Sequence, residues 1–173
     1  MPIKTIFLDR DGVINKDIGY LYKIAEFEFI DGIFEACLHF EKLGYKIIVV
    51  TNQSGISRGY YNANQYKYLT NWMIRQFNYK NIDILDIFHC PHEAEENCNC
   101  RKPKPGMLNK AQNKYNIDME NSWMIGDKER DILAARCAGI RNTILISDIQ
   151  KVAKSEAKHI TNSLKKIKEI III

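Results

Sequence analysis

Phe7-Leu8-Asp9-Arg10-Asp11-Gly12 is the stretch on which the reading of this chain turns. The apolar run Lys4–Leu8 predicts a buried strand that stops at Asp9, so two carboxylates stand at i and i+2 just past a strand end. Two acids held this close repel each other unless a proton or a cation comes between them. A hard divalent cation with oxygen ligands is the natural partner; Mg²⁺ takes one or two carboxylates and leaves its other positions to water and phosphate. One carboxylate can then attack phosphorus while the other handles the proton of the leaving group. The plainer alternative is a turn, because Asp and Gly are common turn formers.

Outward from that stretch, apolar β-branched runs alternate with helical patterns. Lys46–Val50, Ile84–His89, Ser122–Ile125 and Thr143–Ile146 read as further strands. Asp31–Leu43, Asn64–Phe77, Gly106–Tyr115, Arg130–Ala138 and a weaker Ser163–Ile170 read as helices, with Asp31 as the expected N-cap of the first. Gly44 and Gly139 stand where helices end. This alternation predicts the α/β class, with a parallel sheet covered by helices on both faces. Asn15–Ile30 follows the first strand without a helical pattern, and long loops of this kind are often functional. With no repeat, linker or low-complexity tract, residues 1–173 read as one domain.

Composition narrows the class. The chain has 173 residues, 46% apolar and 27% charged, which excludes a disordered chain, a collagen and a coiled coil. A net charge of +4 is too mild to imply nucleic acid. No apolar run approaches the ~20 residues that span a bilayer, so no membrane partner is expected. Met1-Pro2-Ile3-Lys4 runs straight into a strand and is no signal peptide, which makes cytoplasmic the expected location. The five cysteines are an odd number; Cys90, Cys98 and Cys100 crowd together while Cys37 and Cys137 stand alone. That pattern suits a metal site in a reducing compartment better than a disulfide framework.

Three further polar motifs follow predicted strands. In Val50-Thr51-Asn52-Gln53-Ser54-Gly55, a hydroxyl and successive N–H groups can cradle an anion, or simply form a loop exit. Arg101-Lys102-Pro103-Lys104-Pro105-Gly106 brings cations to a helix N-terminus, where an anion would meet both Lys and the dipole; a solvated basic loop is the alternative. Met124-Ile125-Gly126-Asp127-Lys128-Glu129-Arg130-Asp131 offers Asp127 as another metal carboxylate; Asp131, one helical turn on, could orient Asp127 or Lys128, although the helix dipole suffices to account for it. Between Cys90 and Cys100 lies C-x-H-x₅-C-x-C, with ligands Cys90, His92, Cys98 and Cys100. Four such ligands describe a closed, structural tetrahedral Zn²⁺ site, the alternative being free thiols on an acidic loop. Zinc would order this loop and with it Arg101 and Lys102. His39, His89 and His159 receive no role.

The order acid pair, Thr, Lys, acid resembles the haloacid dehalogenase superfamily of phosphatases. The resemblance implies a Rossmann-like sheet and an aspartyl-phosphate mechanism. Asp9 would be the nucleophile and Asp11 the general acid/base. Thr51 and Lys102 would stabilise the transferring phosphoryl group, and Asp127 would hold Mg²⁺ with Asp9 and the Asp11 carbonyl. A zinc loop running into Cys100-Arg101-Lys102-Pro103 is similar to the branch that contains the D-glycero-D-manno-heptose 1,7-bisphosphate 7-phosphatases and the histidinol-phosphate phosphatases. Asp17-Ile18-Gly19-Tyr20 matches the first substrate loop of the heptose family, and Thr51–Gly59 resembles its second. Substrate contacts from Asp17, Gly19, Tyr20, Asn52, Gln53 and Ser54 are implied. Arg101 and Lys128 are expected to serve the second phosphate of a bisphosphate.

One feature departs from the heptose pattern: only five residues separate His92 from Cys98, a spacing like that of the histidinol-phosphate group. Glu93, Glu95 and Glu96 would offer acids to the amine of that substrate. The heptose reading implies removal of the C7 phosphate, leaving heptose 1-phosphate for lipopolysaccharide or other surface glycans. No segment between motifs is long enough for a large cap domain, so residues 15–30, 53–62 and 93–100 are the expected walls of the site. A monomer acting on a small sugar phosphate follows. A catalytically silent, zinc-stabilised binding module is the reading from another class; the presence of Asp9, Asp11, Thr51, Lys102 and Asp127 together speaks against it.

Overall fold

In the computed structural model, which describes residues 1–148, 150, 152 and 154–172, six parallel strands form one sheet. In chain order the elements are β1 (Thr5–Leu8), α1 (Ile33–Lys42), β2 (Lys46–Asn52), α2 (Ala63–Tyr79), β3 (Ile84–Cys90), α3 (Gly106–Tyr115), β4 (Trp123–Gly126), α4 (Glu129–Cys137), β5 (Asn142–Ile146), β6 (His159–Thr161) and α5 (Ile167–Ile170). The strand order is β3-β2-β1-β4-β5-β6. The chain therefore winds outward from β1 in one direction, returns, and winds outward from β4 in the other. Beyond the carboxyl ends of β1 and β4 lies the crevice in which such sheets bind ligands.

Alternation along the strands builds a core on each face. Ile6, Leu8, Ile47, Val49, Trp123 and Ile125 join Ile33, Cys37 and Phe40 of α1 and Met73 and Phe77 of α2. Phe7, Ile48, Val50 and Met124 point the other way and join Met107, Leu108 and Ala111 of α3 and Ala134 and Ala135 of α4. The Rossmann-like sheet with helices on both faces is thus the observed architecture, and among the described residues no inserted cap domain interrupts it.

Two local expectations need correction. Gly32, with φ +90°, is the N-cap of α1, and Asp31 instead pairs with Lys165 at 2.7 Å. The left-handed turn at Gly32 carries the Asp31 carboxylate away from the helix end. Strand β6 went unread because three residues, His159-Ile160-Thr161, are too few to show a period; they extend the sheet through backbone pairing with β5. The segment after β1 holds only a short 3₁₀ turn, Ile24–Glu26. Phe27 and Phe29 anchor it to Trp72 of α2, with ring centroids 5.2 and 5.9 Å away. No described helix is long and apolar enough to cross a membrane.

Candidate active site

The loops leaving β1, β2 and β4, together with the turn before α3, meet at the crevice. Asp9 is buried at the end of β1, and its N–H donates to the Ile125 carbonyl of β4 at 3.0 Å. The Asp9 Oδ1 accepts from the Arg10 N–H at 2.7 Å and lies 3.0 Å from Lys102 Nζ. The same ammonium lies 2.8 Å from Asp131 Oδ1 and donates to the Val50 carbonyl at 2.8 Å. Reciprocal amide bonds of 3.1 Å between Asn52 and the backbone of Lys102 fix the approach of that residue.

Carboxylate oxygens of Asp9, Asp127 and Asp131 lie within 4.8 Å of one another. Asp127 accepts from Lys128 Nζ at 2.9 Å through Oδ2, while its Oδ1 is buried without any partner. Burial pushes the Asp9 carboxyl up to about 7 despite the opposing Lys102 charge, and burial also raises Asp127. Three carboxylates thus face one buried ammonium. A divalent cation on the Asp9–Asp127 edge fits this donor set: it supplies the missing positive charge and gives the orphaned oxygen a partner. Gly12 makes the approach possible. Its φ is +86°, and a Cβ there would sit 2.2 Å from Asp127 Oδ2.

Asp11 stands apart from this cluster in a web of donors. Arg10 Nη2 bonds both of its oxygens at 2.9 and 3.0 Å, and Asn15 Nδ2 and Gln53 Nε2 add bonds of 3.0 and 2.9 Å. Gln53 Nε2 also donates to Thr51 Oγ1 at 2.9 Å, and the Tyr61 hydroxyl donates to Gln53 Oε1 at 2.5 Å. Burial pushes the Tyr61 phenol up to about 12, so it remains a donor at neutral pH. The buried amide of Gln53 therefore ties Asp11 to Thr51.

A cleft of about 270 Å³ opens above, lined by Asp11, Asp17, Gly19, Tyr20, Asn52, Gln53, Ser54, Tyr61, Arg101 and Arg130. Every substrate contact expected from the sequence lines it except Lys128, which reaches Asp127 at 2.9 Å and Asp17 at 3.9 Å instead. Thr51 and Lys102 form the buried floor beneath.

Beside the cleft, Cys90 Sγ, His92 Nδ1, Cys98 Sγ and Cys100 Sγ converge to within 4.8 Å of one another. Cys98 lies 3.5 Å from both Cys90 and Cys100, and His92 Nδ1 lies 3.5 and 3.3 Å from Cys90 and Cys100. Tetrahedral zinc–thiolate bonds of ~2.3 Å place sulfurs ~3.7 Å apart; Cys98 meets that spacing to both partners, while Cys90 and Cys100, 2.9 Å from each other, would have to part to admit the ion. Burial pushes the Cys90 thiol up, whereas the Arg101 N–H and the neighbouring thiols outweigh burial and hold Cys98 down to about 6. Glu93, one of the loop acids, is engaged by Arg58 at 3.0 Å. Arg101 donates to the His92 carbonyl at 3.1 Å, which couples the thiol loop to the cleft wall.

A family model described as "HAD-hyrolase-like" matches residues 99–167. A D-glycero-alpha-D-manno-heptose-1,7-bisphosphate 7-phosphatase of Photorhabdus laumondii is 44% identical, covering 98% of this chain and 97% of its own length. A D-glycero-beta-D-manno-heptose-1,7-bisphosphate 7-phosphatase of Pasteurella multocida is 42% identical, covering 97% and 96%. The chain belongs to the heptose-1,7-bisphosphate 7-phosphatase family. It is therefore a phosphomonoester hydrolase of the haloacid dehalogenase type. The crystal structure of D,D-heptose 1,7-bisphosphate phosphatase from B. bronchiseptica, complexed with magnesium and phosphate, superposes with a TM-score of 0.87 at 28% identity over 97% of both chains.

Three residues of the site, Arg10, Tyr61 and Arg130, carry no assignment from the sequence, and the pairing of Asp131 with Lys102 is a fourth feature the motif did not show. Asp131 is fully buried: it lies 2.8 Å from Lys102 and its Oδ2 accepts from the Lys128 N–H at 3.1 Å, so it holds Lys128 by its backbone as the motif suggested, and the helix dipole alone does not account for it. Arg10 lies inside the acid motif itself, where its neighbours drew the reading. Tyr61 and Arg130 carried no local signal and enter the site only through the folded loops.

Proposed function

We propose that this chain hydrolyses the C7 phosphate of D-glycero-D-manno-heptose 1,7-bisphosphate through an aspartyl-phosphate on Asp9. The Asp9 carboxylate attacks phosphorus, and the C7 oxygen leaves with a proton from Asp11. Water then attacks the aspartyl-phosphate, Asp11 takes its proton, and phosphate departs. Arg10, Asn15 and Gln53 donate to Asp11 and fix the orientation of its carboxyl group for both half-reactions. The proton gained there is the one given to the next leaving group. Lys102 and Thr51 offset the charge that develops on the phosphoryl oxygens. Mg²⁺, held by Asp9, Asp127 and the Asp11 carbonyl, would supply further charge neutralisation at the phosphoryl group. Zn²⁺ on Cys90, His92, Cys98 and Cys100 would be structural, with no coordination position left for chemistry.

The observation that carries this reading is the carboxylate cluster of Asp9, Asp127 and Asp131 at the switch point of the sheet, with one buried Asp127 oxygen left without a partner. The short spacing between His92 and Cys98 favours a second reading, histidinol-phosphate hydrolysis. The Arg58–Glu93 pair counts against it, because it neutralises one of the acids a cationic substrate would need. The same proposal treats residues 1–173 as one domain and the chain as a monomer, and places it in the cytoplasm because clustered thiols suit a reducing compartment. The test is Mg²⁺-dependent phosphate release from both heptose bisphosphate anomers and from histidinol phosphate. The expected result is a kcat/KM on one heptose anomer at least tenfold above histidinol phosphate; the reverse order would overturn the substrate assignment.

A further inference from the structure

We infer that Arg130 selects substrates bearing a second anionic group, taking the phosphate that is not cleaved together with Arg101. This rests on the phosphatase reading above.

Charge balance in the cleft singles Arg130 out. Four charged residues line it: Asp11, Asp17, Arg101 and Arg130. Both acids already have cationic partners. Asp11 holds Arg10 in a two-oxygen grip, and Asp17 faces Lys128 at 3.9 Å. Neither arginine has an ion-pair partner among the described residues, and the buried Nε of Arg130 has no acceptor at all. A guanidinium with a desolvated, unpaired N–H is costly unless a ligand supplies the acceptor. Its planar fork suits phosphate oxygens taken two at a time.

Lys128, one of the two cations that the sequence points to for this role, lies apart from the cleft. Asp127 holds it at 2.9 Å. Position reinforces the assignment. Arg130 lies in the first turn of α4, whose N-terminus favours an anion, and it immediately precedes Asp131, which grips Lys102 on the floor of the reaction centre. Arg101, which also lines the cleft, immediately precedes Lys102 and is steadied by the His92 carbonyl. Both arginines are therefore tethered by one peptide bond to the pair that fixes the scissile phosphate. The distance between the cleaved and the retained anion is built into the backbone.

The experiment compares wild type, Arg130→Ala and Arg130→Lys on heptose 1,7-bisphosphate and on heptose 7-phosphate, which lacks the second anion. The expected result is a fall of about 10- to 100-fold in the ratio of the two kcat/KM values for Arg130→Ala, carried mainly by KM on the bisphosphate. Arg130→Lys keeps the charge and loses the fork, so it recovers part of that ratio. A ratio within about twofold of wild type in both variants, whether both activities fall together or neither falls, overturns the inference and leaves the phosphatase reading standing. A wild-type enzyme inert on both sugar phosphates overturns that reading, and the inference with it.

Discussion

The carboxylate cluster and the thiol cluster are neighbours with opposite constructions. The thiol set spans eleven residues, Cys90 to Cys100, so a single loop carries all four ligands. The carboxylate set, with Lys102, spans residues 9 to 131 and exists only because β1, β4 and their loops lie side by side. The first offers four soft or borderline ligands, which would leave a bound zinc no open position. The second leaves one oxygen unpartnered and one charge unbalanced, which is what a site for a cation and a phosphate requires. A local cluster can be removed as a unit while the sheet stands. A dispersed one persists only while the sheet that assembles it stands.

Several substitutions would break or sharpen that contrast. The largest effect is expected at Asp9: Asp9→Asn should cut Mg²⁺-dependent phosphate release on the order of 10⁴-fold or more, with the melting curve still cooperative. An unchanged rate would remove the dispersed cluster from the chemistry. Cys98→Ser should lower bound zinc, measured by elemental analysis, from about one ion per chain to none. Amide exchange should then quicken across residues 91–101 while β1, β2 and β4 keep their protection; quickening throughout the sheet would show that the loop is not a separable unit.

Asp131→Ala is expected to lower the unfolding free energy in urea by about 3 kcal/mol, because it leaves the buried Lys102 ammonium with Asp9 alone. A loss below about 1 kcal/mol would mean that water replaces the carboxylate, and the cluster would be less dry than drawn here. The smallest effect is one of pH. Burial holds Asp9 near 7 in the metal-free chain, well above its unfolded value, so the folded state binds the extra proton between roughly pH 4 and pH 7. Stability contributed by that proton is present at the acid end and is lost as pH rises through the window. Thermal melts of metal-free protein should therefore fall more steeply with pH for wild type than for Asp9→Asn, and saturating Mg²⁺ should flatten the difference. Equal slopes would show that Asp9 is ionised throughout.

Much of this was legible before any coordinates. The strand ends carrying Asp9, Thr51 and Asp127 could be read because each follows a short, continuously apolar run, and the thiol ligands because they crowd within one loop. Strand β6 could not, since three residues show no period, nor could the N-cap at Gly32, where a left-handed turn displaces the more obvious Asp31. Lys128 and Arg130 are separated by one residue and carry the same charge, so no property of the motif says which of them faces solvent and Asp127 and which faces the cleft.

The sequence by itself determined the parallel α/β sheet, the acid pair and the thiol set, because periodicity and clustering act over a few residues. Only the tertiary structure decided that Asp131 holds Lys102, that Tyr61 locks Gln53 against Asp11, and that Arg130 rather than Lys128 is left without a counterion. Those outcomes depend on which side chains neutralise one another once strands far apart in the chain are brought together, and charge neutralisation in a buried site is a property of the assembled neighbourhood, not of any segment within it.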